Sequence, residues 1–143
     1  MRLLRDFIRG LKYKFKFNSV NQNLDFTYLS NSKTNQDLKI LMDSYGSDKG
    51  GKNDHHNFAQ YYSEIFYDKK NKIENFLEIG LGTNDTLVPS NMGKDGKPLA
   101  SLRAWRDYFK NANIYGADID KNILKNENRI RSFYVDQTNP DSI

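Results

Sequence analysis

The 143-residue sequence contains no cysteine, only two histidines and only three prolines. The lack of cysteine excludes disulfide bonds and thiolate metal sites, and it is compatible with the cytoplasmic location that we expect. No stretch reaches the length of about 18 apolar residues that a membrane-spanning helix needs. His55 and His56 are adjacent and form no H-E-x-x-H motif, so we expect no metal site in this chain.

The sequence also lacks an excess of positive charge, except in one short stretch at its amino terminus. The chain has a formal net charge of +4, but residues 1–17 hold six basic side chains against Asp6 alone and carry +5. The other residues, with 16 basic and 17 acidic side chains, carry −1. Because the basic character belongs to the amino-terminal arm, no nucleic-acid partner is expected for the domain.

Apolar residues recur at helical spacing within this basic stretch (Leu3, Leu4, Phe7, Ile8 and Leu11). The pattern predicts that residues 1–17 form a basic amphipathic arm. Two interpretations stay open: the arm docks on the domain by its apolar face, or it makes a weak contact with a membrane surface or another protein. Residues 18–36 are rich in Asn, Ser, Gln and Thr and are predicted to be a polar linker.

Residues 37–143 are expected to form one α/β domain. Predicted helices run from Asp37 to Tyr45 (closed by Gly46), from His56 to near Lys69 and Lys70, and from Ala100 to Phe109, with weak helical character over Lys121–Asn128. Predicted strands are Phe76–Ile79, Asn113–Asp118 and Arg131–Asp136. This order favours a Rossmann-like, doubly wound parallel sheet, incomplete with three strands, and an N-terminal helical region.

The first strand runs directly into Gly80 and Gly82, which are one residue apart. Paired glycines at a strand end indicate a tight, bare turn, and open α/β sheets bind ligands beyond the carboxyl ends of their strands. The dinucleotide motif G-x-G-x-x-G would require glycine where Asp85 stands, and its carboxylate would repel a pyrophosphate. A nicotinamide cofactor is therefore disfavoured, and no Gly-Lys-Ser/Thr follows to form a phosphate-binding loop.

Acidic residues lie at or near the ends of all three predicted strands: Glu78, Asp118 and Asp136. Carboxylates accept hydrogen bonds from hydroxyl and ammonium groups, so this rim favours a cationic or zwitterionic ligand that carries a ribose. Structural alternatives are a lysine pair for Glu78, a helix cap for Asp120 and a turn at Asp136.

The ordered motifs resemble those of class I S-adenosylmethionine-dependent methyltransferases. Glu78-Ile-Gly-Leu-Gly82 is similar to their first motif, E-x-G-x-G, and Tyr115-Gly-Ala-Asp-Ile-Asp120 is similar to their second strand. The resemblance implies that Gly80 and Gly82 face the methionine part and that Asp118 holds the ribose hydroxyls. Asp136 would approach the adenine amino group. The implied cofactor-binding set is Glu78, Gly80, Gly82, Asp118, Ile119, Asp136 and Gln137.

A narrower resemblance connects roughly residues 45–140 to the macrocin-type sugar O-methyltransferases. It rests on Tyr45-Gly-Ser-Asp-Lys-Gly50, His56-Asn57, Ser101-Leu-Arg-Ala-Trp105 and the stretch from Arg129 to Gln137. The resemblance implies that the sulfonium or the substrate is bordered by Asp48, Lys49 and His56. Asn84 departs from the pattern, since many class I enzymes have a third glycine there. The strands that hold a catalytic base and a divalent metal such as magnesium in that group are expected only in a full-length relative.

Two functions are consistent with these motifs. The first is the cofactor-binding portion of an O-methyltransferase that acts on a sugar hydroxyl or a related small molecule. The second is a non-catalytic, truncated module that binds a nucleoside or only a partner. The sequence assigns no catalytic residue. An open sheet edge at the first strand is expected to promote self-association, and Trp105 is assigned to the core rather than to the site.

Overall fold

The computed structural model describes residues 36–52 and 57–142 of the chain. The arm 1–17, all of the linker 18–36 except Gln36, and His56 therefore lie outside the described residues. Within the described ranges the longer elements follow one another along the chain: α1 (Asp37–Tyr45), α2 (Phe58–Phe66), β1 (Asn75–Ile79), α3 (Ala100–Tyr108), β2 (Asn113–Asp118) and β3 (Ile130–Tyr134). Short 3₁₀ turns occupy Asp48–Gly50, Lys121–Ile123 and Pro140–Ser142.

The three strands form one parallel sheet in the order β1-β2-β3. Ile79 of β1 pairs with Ala117 of β2, and Asp118 of β2 pairs with Tyr134 of β3. All three carboxyl ends therefore meet at one rim, which confirms the predicted Rossmann-like sheet. Among the described residues, β1 pairs only with β2, so its other edge has no partner strand there.

Aromatic side chains fill the space between the helices and the sheet. The rings of Trp105 and Phe109 stack with 5.4 Å between centroids, and Phe76 of β1 lies 4.6 Å from Trp105. Phe66 of α2 meets Trp105 edge to face at 5.9 Å. Trp105 is only 2% exposed, so its assignment to the core is confirmed. Complete burial of a ring such as that of Phe109, which is 0% exposed, stabilises the fold by about 1.5–3 kcal/mol.

Helix α1 has the predicted bounds and the predicted end. It buries Leu38 and Met42 completely against the core. Gly46 follows in the left-handed region with a φ of 79°, and the N–H groups of Gly46 and Ser47 donate to the carbonyls of Asp43 and Met42. A residue without a Cβ adopts this conformation at little cost, which is why the helix ends there.

Helix α2 is shorter than predicted. It begins at Phe58 and ends at Phe66, and the following residues form a turn in which the Lys69 N–H donates to the Phe66 carbonyl. No helix in the described ranges is both long enough and apolar enough to cross a bilayer.

The segment between β2 and β3 differs from its predicted helical character. Only Lys121–Ile123 is helical, as a 3₁₀ turn. The side chain of Asn126 then accepts the backbone N–H of Ser132, and the Ser132 hydroxyl donates to the carbonyl of Lys125. Asn and Ser side chains compete with helical backbone bonds in this way, which explains why the helix does not continue.

Strand β3 lies one residue earlier than predicted at its start and ends at Tyr134 rather than Asp136. The Val135 N–H still donates to the Asp118 carbonyl, but the Asp136 N–H donates to the Ser142 hydroxyl instead. Asp136 has therefore left the sheet and belongs to the turn that follows.

Candidate functional site

The two glycines after β1 both have left-handed backbone conformations. Gly80 has a φ of 83° and Gly82 a φ of 92°. Among the described residues, a Cβ atom placed on Gly80 would meet nothing within 4 Å, whereas one on Gly82 would lie 2.9 Å from Cγ of Met92. Gly80 therefore presents bare backbone to open space at the rim, and Gly82 lets the loop that contains Met92 pack closely against the turn.

Asp118 holds this glycine turn in place. Its Oδ2 atom accepts the backbone N–H groups of Leu81 at 2.5 Å and Gly82 at 3.2 Å, and its Oδ1 atom accepts that of Asp120 at 2.8 Å. The residue is 7% exposed. The carboxylate at the end of β2 therefore fixes the conformation of the turn after β1. A ligand hydroxyl bound by Asp118 would donate to a carboxylate that already accepts three backbone N–H groups.

Asp120 lies farther out on the same rim and is partly exposed. Its Oδ1 atom accepts the Asn122 N–H, which confirms that Asp120 caps the 3₁₀ turn. Its Oδ2 atom accepts the Thr83 hydroxyl at 2.5 Å, and this bond holds the pKa of Asp120 below its ordinary value. Ile119, between the two acids, is 59% exposed and forms an apolar surface beside them.

Asp136 and Gln137 lie beyond the end of β3 at this edge of the sheet. Asp136 Oδ1 accepts both the backbone N–H and the hydroxyl of Thr138, and these bonds lower the pKa of Asp136. The structural alternative of a turn at Asp136 is thus confirmed, and a ligand contact by this residue stays a prediction. Gln137 is exposed.

Glu78 points into a set of polar side chains. Its Oε2 atom accepts the indole N–H of Trp105 at 2.9 Å, and its Oε1 atom accepts the Ser101 hydroxyl at 3.0 Å. The Lys49 ammonium lies 3.3 Å from Oε1. The lysine pair considered from the sequence is therefore present, and it includes two donors from α3 that sequence reasoning did not find.

Lys49 is placed by the 3₁₀ turn Asp48–Gly50. The Ser47 hydroxyl caps this turn by accepting the Lys49 N–H at 3.3 Å. Burial by itself lowers the pKa of the Lys49 ammonium, but the negative charges of Glu78 and Asp48 outweigh burial, and the pKa is raised. Lys49 is therefore a charged, three-quarters buried ammonium beside two carboxylates, the second of them Asp48 at 3.6 Å.

Asn84 has a role that the sequence did not reveal. Its side-chain amide donates to the carbonyls of Gly93 at 2.7 Å and Gly96 at 2.9 Å, while the Met92 N–H donates to the Thr83 carbonyl. These bonds close residues 83–96 into a defined loop. The signal available in the sequence was an amide side chain at the start of a long loop that contains two glycines.

The site thus combines an open stretch of backbone, partly exposed carboxylates and one ammonium. Within the described ranges, no group of three or more His, Asp or Glu side chains is arranged to hold a metal ion. Such a rim can bind a ligand that offers hydroxyl groups and charges of both signs.

Comparison with known proteins identifies relatives with a common activity. No protein-family model matches the chain. It is 31% identical over 99 residues to an 8-demethyl-8-alpha-L-rhamnosyl tetracenomycin-C 2'-O-methyltransferase of Streptomyces olivaceus. It is 33% identical over 104 residues to a demethylmacrocin O-methyltransferase of Streptomyces fradiae. Over the matched region the chain is thus similar in sequence to O-methyltransferases. The matched regions cover 69% and 73% of this chain but only 23% and 24% of those proteins.

Solved structures of a methyltransferase show a similar fold over the matched region. The MycE methyltransferase of the mycinamycin biosynthetic pathway, in complex with Mg and SAH, matches 73% of this chain with a TM-score of 0.55 and 33% identity. The complex of MycE with Mg, SAH and mycinamycin VI matches 71% with a TM-score of 0.52 and 32% identity. The chain spans about a quarter of the length of these relatives, 26% and 25%.

Proposed function

We propose that this chain is the S-adenosylmethionine-binding portion of a class I methyltransferase that methylates a hydroxyl group of a sugar or a related small molecule. The observation that carries the proposal is the glycine turn after β1, which faces open space at Gly80 and is tied to Asp118 at the end of β2. Sequence similarity to O-methyltransferases and fold similarity to a methyltransferase solved with SAH support this function over a non-catalytic module.

The residues at the rim fit this cofactor. The bare backbone at Gly80 leaves room for the methionine part to approach closely. The partly exposed carboxylates of Asp120 and Asp136 supply acceptors for hydroxyl and amino groups, and exposed Ile119 supplies an apolar surface for a base. A nicotinamide dinucleotide fits less well, because Asp85 stands where its motif requires glycine.

When bound, the cofactor supplies a methyl group that a nucleophilic oxygen can accept. This chain's contribution is to position the cofactor, which lowers the entropic part of the barrier. The proposed binding residues are those expected from the sequence: Glu78, Gly80, Gly82, Asp118, Ile119, Asp136 and Gln137, with Asp48, Lys49 and His56 at the border of the sulfonium or the acceptor. No catalytic base and no metal ligand is assigned among the described residues. A cytoplasmic location and a small-molecule acceptor are part of the proposal.

Isothermal titration calorimetry of the 143-residue chain tests this function directly. We expect binding of S-adenosylmethionine and S-adenosylhomocysteine, and no heat of binding with NAD. Binding of NAD in preference to both sulfur nucleosides would overturn the proposal, as would the absence of binding to either of them by a chain shown to be folded.

A further inference from the structure

The Lys49 ammonium makes only long contacts with its two carboxylate partners. Its nitrogen is 3.3 Å from Glu78 Oε1 and 3.6 Å from Asp48 Oδ1, and the side chain is 25% exposed. Charge-assisted bonds between an ammonium and a carboxylate are typically about 2.7–2.9 Å long. Both pairs are therefore looser than this, and an ammonium has three N–H donors to direct.

The Glu78 carboxylate, in contrast, already accepts hydrogen bonds from most of the donors that it can bind. Its carboxylate accepts the Trp105 indole, the Ser101 hydroxyl and the Lys49 ammonium, and its side chain is only 11% exposed. An ionised carboxylate offers about four acceptor positions, and three of them are used inside the protein. Glu78 is thus held by α3 and in turn fixes where the ammonium lies.

The position and the charges of this group match one part of the proposed cofactor. Glu78 precedes the open backbone at Gly80 by two residues, so the carboxylate that the ammonium contacts belongs to the strand that leads into the glycine turn. Lys49, Glu78 and Asp48 together carry a net charge of −1. The amino-acid part of S-adenosylmethionine, counted with its sulfonium, has one carboxylate and two positive groups and carries +1. The protein group and the ligand therefore have opposite net charges. The single positive group of the protein can face the single negative group of the ligand, which favours one orientation of the ligand.

We propose that the Lys49 ammonium binds the carboxylate of the methionine part of S-adenosylmethionine, and that Glu78 is a positioning residue that holds Lys49 without contacting the ligand. This assignment rests on the proposed function. Within the proposed binding set it gives Glu78 a specific role, in which this residue acts on the cofactor through Lys49 and not by direct contact.

The decisive experiment compares two ligands by calorimetry: S-adenosylmethionine and decarboxylated S-adenosylmethionine, which keeps the nucleoside, the sulfonium and the amino group. The wild-type chain should bind the carboxylated ligand about tenfold or more tightly, as expected for a hydrogen bond between charged groups. Lys49→Met should lose that advantage by weakening only the carboxylated ligand. Lys52→Met, at an exposed lysine three residues along the chain, should behave as the wild type.

Glu78→Gln separates positioning from direct contact. The amide oxygen can replace Oε2 as acceptor of the Trp105 indole N–H, and the amide NH₂ can donate to the Ser101 hydroxyl, but the charge that holds Lys49 is gone. Affinity for the carboxylated ligand should fall, and affinity for the decarboxylated ligand should not. An equal loss for both ligands would show that Glu78 touches a group common to them, such as the amino group, and would overturn its positioning role.

The wild-type chain alone can refute the Lys49 assignment, so the test does not depend on a variant that folds. Equal affinity of the wild type for the two ligands would overturn the assignment while leaving the proposed function intact. Equal weakening of both ligands by Lys49→Met would do the same. Failure of the folded wild type to bind either ligand would instead overturn the proposed function.

Discussion

The Asp118 carboxylate, at the end of β2, accepts the backbone N–H of Leu81 in the turn after β1, with 2.5 Å between oxygen and nitrogen. This bond, and a longer one from Gly82, connect the ends of two neighbouring strands through a single side chain. The shape of the proposed cofactor site therefore depends on Asp118 even before any ligand contact is considered.

Replacement of Asp118 by Asn should impair both stability and binding. The amide can accept only at one oxygen, so buried backbone N–H groups of the turn lose an acceptor at a cost of about 1–3 kcal/mol. We expect the free energy of unfolding in urea to fall by this amount, with weaker binding of S-adenosylmethionine in calorimetry. Asp95→Asn, at an exposed position outside the proposed site, serves as the control and should change stability by less than about 0.5 kcal/mol. Unchanged affinity in the Asp118 variant would remove this residue from the site.

Gly80 and Gly93 form a matched pair for testing the open backbone. Their φ angles are 83° and 73°, and a Cβ on either glycine meets no atom of residues 36–52 or 57–142 within 4 Å. Alanine at either position should cost about 1–2 kcal/mol of stability, because a Cβ is disfavoured in the left-handed region. Only Gly80→Ala should also prevent close approach of S-adenosylmethionine and weaken its binding. Equal effects of the two variants on affinity would mean that the open space at Gly80 is not where the ligand lies.

The pair formed by Arg103 and Glu127 should make stability depend on pH in the acid range. The guanidinium donates to both oxygens of Glu127, and this hydrogen bonding lowers the Glu127 pKa below its ordinary value of 4.5. A lowered pKa means that the folded state gains stability when Glu127 is ionised, and that this gain is lost as the pH falls through the folded-state pKa.

Glu127→Gln should therefore be less stable than the wild type at pH 7, by about 1 kcal/mol or less for a partly exposed pair. The two proteins should converge as the pH falls below 4.5. Urea unfolding across that range measures the effect, with Glu74→Gln as a control at an exposed position. A constant difference at every pH would show that the charge of Glu127 is not responsible.

Deletion of residues 1–17 should leave cofactor binding intact and reduce affinity for anionic lipid vesicles. The arm carries +5 and apolar residues at helical spacing, so its membrane affinity should also decrease with added salt. Vesicle co-sedimentation at two ionic strengths, together with calorimetry, measures both properties. If the deletion unfolds the domain instead, the arm is docked on the core.

The open edge of β1 should lead the isolated chain to self-associate. In the described residues this strand pairs only with β2, and Ile79 at its end is 47% exposed. Unpaired backbone groups beside apolar side chains favour pairing with a second chain. Size-exclusion chromatography with light scattering should show species larger than a monomer. A monomer whose 76–80 amides resist hydrogen exchange would contradict this expectation and indicate that another segment covers the edge.

Local signals predicted much of the fold. The bounds of α1 and β2 are as predicted. The signals that set them, apolar spacing along the element and the glycine after Tyr45, involve only neighbouring residues and are therefore visible in the sequence. The glycine turn was predicted for the same reason. The end of β3 was not, since the bond from the Asp136 N–H to the Ser142 hydroxyl depends on how the chain turns afterwards.

The roles of individual site residues were harder to predict than their location. An acid at a strand end indicates a carboxylate at the rim, but it does not reveal whether backbone N–H groups already occupy that carboxylate, as they do at Asp118. The contacts of Glu78 with Lys49 and Trp105 join distant parts of the chain that carry no common pattern. Such contacts follow from tertiary packing, which a single sequence does not display.

Trp105 is the one tryptophan of the chain, and its indole N–H donates to Glu78 just before the glycine turn. Indole fluorescence and near-ultraviolet circular dichroism therefore report on this hydrogen bond without an added label. A ligand carboxylate that binds Lys49 changes the electric field beside the indole and should shift its emission. Optical titration can then follow occupancy of the site in the unmodified protein, with the same ring reporting the loss of the aromatic core on unfolding.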